Sequence, residues 1–316
     1  MAVSIVKTPV LLVTGNDLAP QALELLKDFE VVFAGKQCSE ETVLALAKEK
    51  DPVAIIVRYG KVGATIMDAA PSLKVISKHG SGIDVIDQNA AAQRGIAVKA
   101  AVGANAAAVA EHAWALILAC AKAVPHLNAR MRDGHWDKST HKTIELNGRT
   151  LGIVGLGEIG RRAAVTGVAL GMRVIAFDPY AKTVPQGVTR VDNLPQLYRE
   201  ADVVSLHCPL TDDNRGMLNR ETLAQFKDGA ILVNTARGGL IDEPALADAL
   251  ASGKLYAAGL DSFAVEPMTV PHPFQQTPNL ILSPHIGGVS DAAYVNMGVG
   301  AAKNVLAVLQ DAATAV

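Results

Sequence analysis

The segment Thr150-Leu151-Gly152-Ile153-Val154-Gly155-Leu156-Gly157-Glu158-Ile159-Gly160 breaks an apolar run with three glycines spaced G-x-G-x-x-G. A helical pattern follows from Ile159 to Leu170, and a second apolar run, Met172 to Phe177, ends in Asp178. Strand, glycine turn, helix and a second strand closed by an acid are the parts of a dinucleotide-binding βαβ unit. Gly155 makes the tight turn. Gly157 lets the backbone approach a pyrophosphate, which the helix start, opened by Glu158 and Ile159, attracts with its N–H groups and positive dipole end. Gly160 lets the helix lie close to the sheet. Asp178, 18 residues beyond Gly160, suits hydrogen bonds to ribose hydroxyls. With Pro179 next and no arginine immediately after, it favours NAD over NADP, because a carboxylate repels a 2′-phosphate. Arg161 and Arg162 at the helix start weigh the other way. A bare glycine motif suits any strand-to-helix turn; four parts in register favour a Rossmann unit.

A chain of 316 residues makes two domains of ordinary size. Half of it is hydrophobic and 19% charged, the balance of a soluble α/β protein. A net charge of −2 with no lysine or arginine run points away from nucleic acid and from an anionic membrane. Cys38, Cys120 and Cys208 are far apart and form no C-x-x-C pair. That pattern excludes a disulfide framework, offers no metal site and fits a reducing compartment. Val10 to Val13 is too short for a signal sequence, and Ala104–Ala123, interrupted by Glu111, His112 and Lys122, falls short of a membrane span. A cytoplasmic protein is expected.

Along the chain, Val10–Val13, Val31–Phe33, Ile55–Val57, Val75–Ser77 and Ile96–Val98 read as strands. Pro20–Leu26, Glu41–Lys48, Thr65–Ala69 and Val85–Arg94 read as helices between them. Such alternation predicts a mostly parallel sheet covered on both faces. Ala104–Ala123 then reads as a long buried helix linking two domains. Residues 125–149 are polar and weakly periodic, which predicts an arm that packs on another subunit with Trp136 as anchor, or else a solvated loop. Later strands are expected at Val203–Leu206, Ala230–Val233, Ala257–Leu260 and Leu280–Leu282, and a final helix at Ala292–Leu309. That helix brings the chain back, so the first domain is completed from the C-terminus, with no room for an added regulatory domain.

In open α/β sheets ligands bind beyond the carboxyl ends of the strands. Unusual residues follow the expected strands there: His79-Gly80-Ser81-Gly82, Gly155–Gly160, His207-Cys208-Pro209-Leu210, Asn234-Thr235-Ala236-Arg237-Gly238, Asp261, and Ser283-Pro284-His285. His285 is the best acid–base candidate, since imidazole titrates near pH ~6.5. Glu266 is the carboxylate that would raise that value, and Arg237 suits a bidentate grip on a substrate carboxylate. Taken singly, Arg237 also suits a domain-interface ion pair, Glu266 a helix cap and His285 a hydrogen-bonded loop residue. Glu111 and His112 read as interface packing, His207 as structural or cofactor-adjacent, and His79 as a neighbour of a substrate loop. Cys208 lacks a base and is no nucleophile.

Taken together, these motifs resemble the D-isomer-specific 2-hydroxyacid dehydrogenases, most of all the phosphoglycerate dehydrogenase-like branch. The resemblance rests on Lys78-His79-Gly80-Ser81-Gly82-Ile83-Asp84, the glycine motif, His207-Cys208-Pro209-Leu210-Thr211, Asn234–Gly238, Asp261-Ser262-Phe263-Ala264-Val265-Glu266-Pro267 and Ser283–Gly288, in order over nearly the whole chain. It implies two doubly wound parallel-sheet α/β domains: a Rossmann NAD-binding domain at 104–285, inserted into a flavodoxin-like substrate-binding domain made of 1–103 and 286–316. It also implies a homodimer and NAD(H) as cofactor. Arg237, Glu266 and His285 would form the catalytic set. Asp261 would bond the nicotinamide amide, with His207, Cys208, Pro209, Thr235, Ala236, Gly287 and Gly288 near the cofactor. Backbone N–H groups at Ser81 and Gly82, beside Gly80, would hold the substrate carboxylate, with Arg58, Tyr59 and Asn105 as further substrate contacts. Ser262 departs from the family's usual valine, and Asn214-Arg215 from a threonine-rich stretch. The implied activity is NAD-dependent interconversion of a small D-2-hydroxy acid and its 2-keto acid, of the glyoxylate or hydroxypyruvate type. One alternative is 3-phosphoglycerate dehydrogenase, in which Arg58 and a Lys138 arriving from the partner subunit meet the phosphate, unless Arg58 is structural and Lys138 a surface residue; another is an NADH-sensing corepressor that binds protein partners.

Overall fold

In the computed structural model, residues 8–36 and 38–314 are described. Of the substrate-binding segments expected at 1–103 and 286–316, residues 1–7, 37, 315 and 316 therefore lie outside the described residues. The chain forms two compact units, Met1–Asn105 with Val289–Val316, and Ala106–Gly288.

The first unit is a five-stranded parallel sheet of β1 (Val10–Thr14), β2 (Glu30–Phe33), β3 (Ala54–Val57), β4 (Val75–Lys78) and β5 (Ala97–Ala100), in the order β2-β1-β3-β4-β5. This is the flavodoxin-like winding. β1 and β3 are buried along their whole length, as a sheet covered on both faces requires. Between the strands run α1 (Pro20–Leu25), α2 (Glu40–Lys50), α3 (Ala64–Asp68) and α4 (Gln88–Gln93). The long C-terminal helix Asp291–Thr314 closes one face by burying Ala301, Ala302 and Val305 among Leu11, Val13 and Ile56. α4 starts three residues later than its periodicity suggests. Asp87 caps it, its side chain accepting Ala90 N–H at 2.9 Å, while Ile86 stays extended in a bridge to Val62.

The second unit opens with α5 (Ala106–Lys122) and α6 (Val124–Arg132). The nine residues of α6 correct the reading of 125–149 as irregular from its start. A seven-stranded parallel sheet follows: β6 (Thr150–Val154), β7 (Arg173–Phe177), β8 (Val188–Arg190), β9 (Val203–Leu206), β10 (Ala230–Asn234), β11 (Leu255–Leu260) and β12 (Leu280–Leu282). Its order, β12-β11-β10-β9-β6-β7-β8, puts the first strand inside the sheet and reverses direction between β6 and β9. That reversal is the switch point where doubly wound sheets bind ligands. α7 (Glu158–Ala169), α8 (Leu194–Glu200), α9 (Arg220–Ala224) and α10 (Glu243–Ala251) complete the unit. α5 packs over β11, where a Cβ on Gly259 would come within 2.9 Å of Leu116.

Candidate active site

All strands of the second sheet are parallel, so the loops after β6, β7, β9, β10, β11 and β12 emerge along one edge. The glycine loop leaves β6 with Gly155 at φ +97°, where a side chain is strained. A Cβ on Gly160 would lie 1.9 Å from the Gly155 carbonyl oxygen, so only glycine lets α7 start this close to the strand end. A Cβ on Gly157 would meet nothing within 4 Å, which leaves the backbone at the helix start open to a ligand. Asp178, just past β7, reaches back: Oδ2 accepts Leu156 N–H at 2.7 Å, and Oδ1 accepts those of Tyr180 and Ala181 at 2.8 and 3.1 Å. The carboxylate therefore clamps the glycine loop from the end of β7. Arg161 donates from Nη2 to the Thr183 carbonyl at 2.6 Å, a bond that holds its guanidinium against a neighbouring loop. Farther along the edge, Thr235 Oγ1 and Ser262 Oγ are buried without a hydrogen-bond partner. Glycine cradle, acidic clamp and unpartnered hydroxyls fit a dinucleotide.

At the β10–β12 side, His285 Nδ1 and Glu266 Oε2 lie 2.7 Å apart, and Glu266 Oε1 accepts the Phe263 N–H at 2.9 Å. The bond to Glu266 raises the His285 pKa above its ordinary 6.5; burial opposes this, the carboxylate's charge adds to it, and the Arg237 charge subtracts. For Glu266, burial pushes the carboxyl up, but the bonds from His285 and Phe263 and the charges of His285 and Arg237 more than reverse it, leaving the pKa below the ordinary 4.5. Both groups thus feel the Arg237 cation, and the three residues picked out in the sequence converge.

Four supports hold them. Asn234, fully buried, bonds both sides of the Arg237 turn, accepting Ala236 N–H at 3.0 Å and donating to the Arg237 carbonyl at 2.8 Å. A Cβ on Gly238 would fall 1.9 Å from the Phe263 carbonyl carbon, so the Arg237 and Glu266 loops touch backbone to backbone. Glu243, which opens α10, accepts Ala264 N–H at 2.9 Å and pairs with His272 Nε2 at 3.2 Å. Because His272 Nδ1 accepts the Phe274 N–H, Nε2 carries the proton shared with Glu243. Asp261 holds the His285 loop. It is only 2% exposed; Oδ1 accepts Ser283 Oγ–H at 2.6 Å and Ile286 N–H at 2.9 Å, and Oδ2 accepts Gly287 N–H at 2.7 Å. His285 itself sits at φ +53°, a left-handed conformation that such anchoring sustains.

The remaining candidates fare differently. Asp261, expected at the nicotinamide, has three of its acceptor positions taken by its own chain. His207 is tied to Ser205 Oγ at 2.9 Å, and burial lowers its pKa to about 4, so it is neutral and no acid. Burial raises the Cys208 thiol to about 11, which keeps it protonated. In the first unit, Ser81 Oγ meets Asn105 Oδ1 at 3.3 Å, beside Gly80 at φ +132°. Arg58 already has partners. Its guanidinium pairs with the Asp17 carboxylate, donates to the Asp17 carbonyl at 2.6 Å, and lies 5.2 and 5.3 Å from the Tyr59 and Tyr294 rings, with 9% of the side chain exposed. These contacts hold it within its own unit, the structural role that such a residue can also play. Glu243, His272 and His112 went unread as site residues. Glu243 announces itself only as the residue after a helix cap. His112, read as interface packing, instead bonds Ser283 Oγ at 2.8 Å.

A dinucleotide cradle and, on the same sheet edge, an imidazole whose pKa is raised by its carboxylate supply the two halves of hydride-and-proton transfer: the protein is an NAD-linked dehydrogenase. Residues 114–287 match the family described as D-isomer specific 2-hydroxyacid dehydrogenase, NAD binding domain. A hydroxypyruvate reductase of Thermotoga maritima is 40% identical over 90% of this chain and 94% of its own length. A D-3-phosphoglycerate dehydrogenase of Methanocaldococcus jannaschii is 40% identical over 93% of this chain, which spans only 56% of that relative. Among solved structures, the TT0316 protein of Thermus thermophilus superposes with a TM-score of 0.88 at 38% identity, covering 96% of this chain and 97% of that one. The chain belongs to the D-isomer specific 2-hydroxyacid dehydrogenase family.

Proposed function

We propose that the protein reduces a short 2-keto acid of the glyoxylate or hydroxypyruvate type to its D-2-hydroxy acid, with Arg237, Glu266 and His285 as catalytic residues. The 2.7 Å bond between His285 Nδ1 and Glu266 Oε2 carries this reading. NAD(H), when bound, supplies the hydride at its nicotinamide ring. In reduction, the imidazolium gives its Nε2 proton to the keto oxygen as the carbonyl carbon gains the hydride, and His285 is left neutral. Glu266 keeps Nδ1–H oriented and stabilises the charged form beforehand. Arg237 grips the carboxylate and polarises the carbonyl. Oxidation runs the same steps backwards, with neutral His285 as base.

NADH oxidation by the purified protein is expected with glyoxylate and hydroxypyruvate and to be lost in H285A, whose NADH affinity stays near wild type. An equally active H285A removes His285 from the chemistry. The phosphoglycerate reading has support in the relatives bearing that name, but Arg58 is already paired within its unit. A gain in kcat/KM for phosphohydroxypyruvate over hydroxypyruvate would favour it, with Lys138 as the remaining phosphate contact. We infer also that the protein is a cytoplasmic homodimer joined through residues 125–149. Trp136 there is 74% and Met131 53% exposed, an apolar strip suited to a second copy.

A further inference from the structure

His112 lies on α5, on the stripe of Val109, Ala113 and Leu116 that packs towards the sheet. Its neighbours fix its proton. Ser283 Oγ is 2.6 Å from Asp261 Oδ1, and a carboxylate that already receives the Ile286 and Gly287 N–H groups can only accept there. The single hydroxyl proton of Ser283 is therefore spent on Asp261. At 2.8 Å from the same oxygen, His112 Nε2 must be the donor. The same N–H stands 3.3 Å from Asp261 Oδ1, so it supports the carboxylate directly as well as through Ser283. Gly287 presses against both groups: a Cβ there would be 2.8 Å from Asp261 Oδ2 and 3.2 Å from His112 Cδ2. One side chain from a distant helix thus backs the anchor of the loop that holds His285 at φ +53°.

We propose that His112 is a positioning residue for His285. Its Nε2–H orients Ser283 and Asp261, Asp261 holds the Ile286 and Gly287 amides, and those amides keep the His285 ring aimed at the reacting carbonyl. The proposal rests on the catalytic role given to His285 above. Without the donor, Ser283 Oγ and Asp261 Oδ1 each lose a partner, and the His285 loop relaxes from its strained conformation. Substrate is still gripped by Arg237, so the loss falls on kcat rather than on KM.

The test compares H112A with H112Q, whose amide nitrogen can replace the lost donor, and adds S283A, which breaks the relay while keeping His112. H112A and S283A are expected to lower kcat by about tenfold to a hundredfold, the cost of a misplaced reacting group. KM for the keto acid and Kd for NADH should change little, and H112Q should recover most of the rate. Hydrogen exchange in the cofactor-free protein gives an independent readout. The Ile286 and Gly287 amides should exchange faster in H112A and S283A than in wild type, and at the wild-type rate in H112Q. Wild-type kcat in a folded H112A, an H112Q as slow as H112A, or unchanged exchange at Ile286 and Gly287 would each overturn the proposal. If H112A does not fold, S283A decides by the same two measurements. If no keto acid is turned over by the wild-type protein, the reading of the reaction falls while amide exchange still decides the role of His112. If H285A is inactive and H112A is not impaired, the positioning role alone falls.

Discussion

The His285 pKa lies above its ordinary 6.5 because its ring nitrogen meets Glu266 Oε2 before any substrate arrives, and that bond outweighs the burial that opposes it. The sign of the pH dependence follows. With the folded pKa raised above 6.5, the pair's contribution to stability is complete below that value and is lost as pH rises through the raised one. On the Glu266 side the depressed value means a contribution present above 4.5 and lost as pH falls through the lowered one. Reduction needs the imidazolium, so kcat/KM should fall on the alkaline side along the same upper limb. In E266Q the charge is gone and only a neutral amide oxygen is left to accept the Nδ1–H, so that limb should move to lower pH with a loss of rate of about a hundredfold. A pH profile of NADH-dependent reduction checks this; an unmoved limb would detach Glu266 from the titration. The residues of this set were readable in the sequence because each lies on the loop that follows an apolar strand. Their supports were not. Glu243 and His112 act through residues 21 and 171 positions away, and no local pattern records such distances.

The β6–α7 turn is the element that makes the second unit a dinucleotide-binding one, and Asp178 is part of its construction. Three backbone N–H groups converge on that carboxylate, one of them from Leu156 inside the glycine loop. Removing it therefore does more than erase discrimination against a 2′-phosphate. D178A should weaken NADH binding by about tenfold to a hundredfold, the loss of a charge-assisted hydrogen bond or two, and should gain little affinity for NADPH. Titration with both cofactors measures it, and an NADPH affinity rising to that of NADH would show the clamp to be dispensable. The buried strands, and the helices of the first unit with α5 and α7, were found to within a few residues, whereas α8, α9 and α10 were not placed although each buries residues. α6 was missed because none of its residues is buried, which leaves no apolar stripe to detect. β8 was missed because it is three residues long with only Val188 buried. The start of α4 is set by a cap at Asp87 rather than by the hydrophobic period.

For the molecule as a whole, the family membership and the flavodoxin-like and Rossmann windings define an NAD-dependent D-2-hydroxyacid dehydrogenase, while assembly is a matter for solution measurement. W136D places a charge on the exposed apolar strip of the 125–149 arm. Light scattering coupled to gel filtration should show it shifting from dimer to monomer, with secondary structure intact. A W136D protein as dimeric as wild type would take the interface elsewhere.

What the chain determined by its order alone was the alternation of strand and helix, the glycine turn and the residues that follow each strand, since burial periodicity and backbone freedom are properties of neighbours. Tertiary structure alone decided which polar groups remain available. It paired Arg58 with Asp17, filled three acceptor positions of Asp261 from the His285 loop, and joined His112 to Ser283 on that same loop. A hydrogen bond between distant segments depends on where two elements stop against each other in space, and packing sets that position.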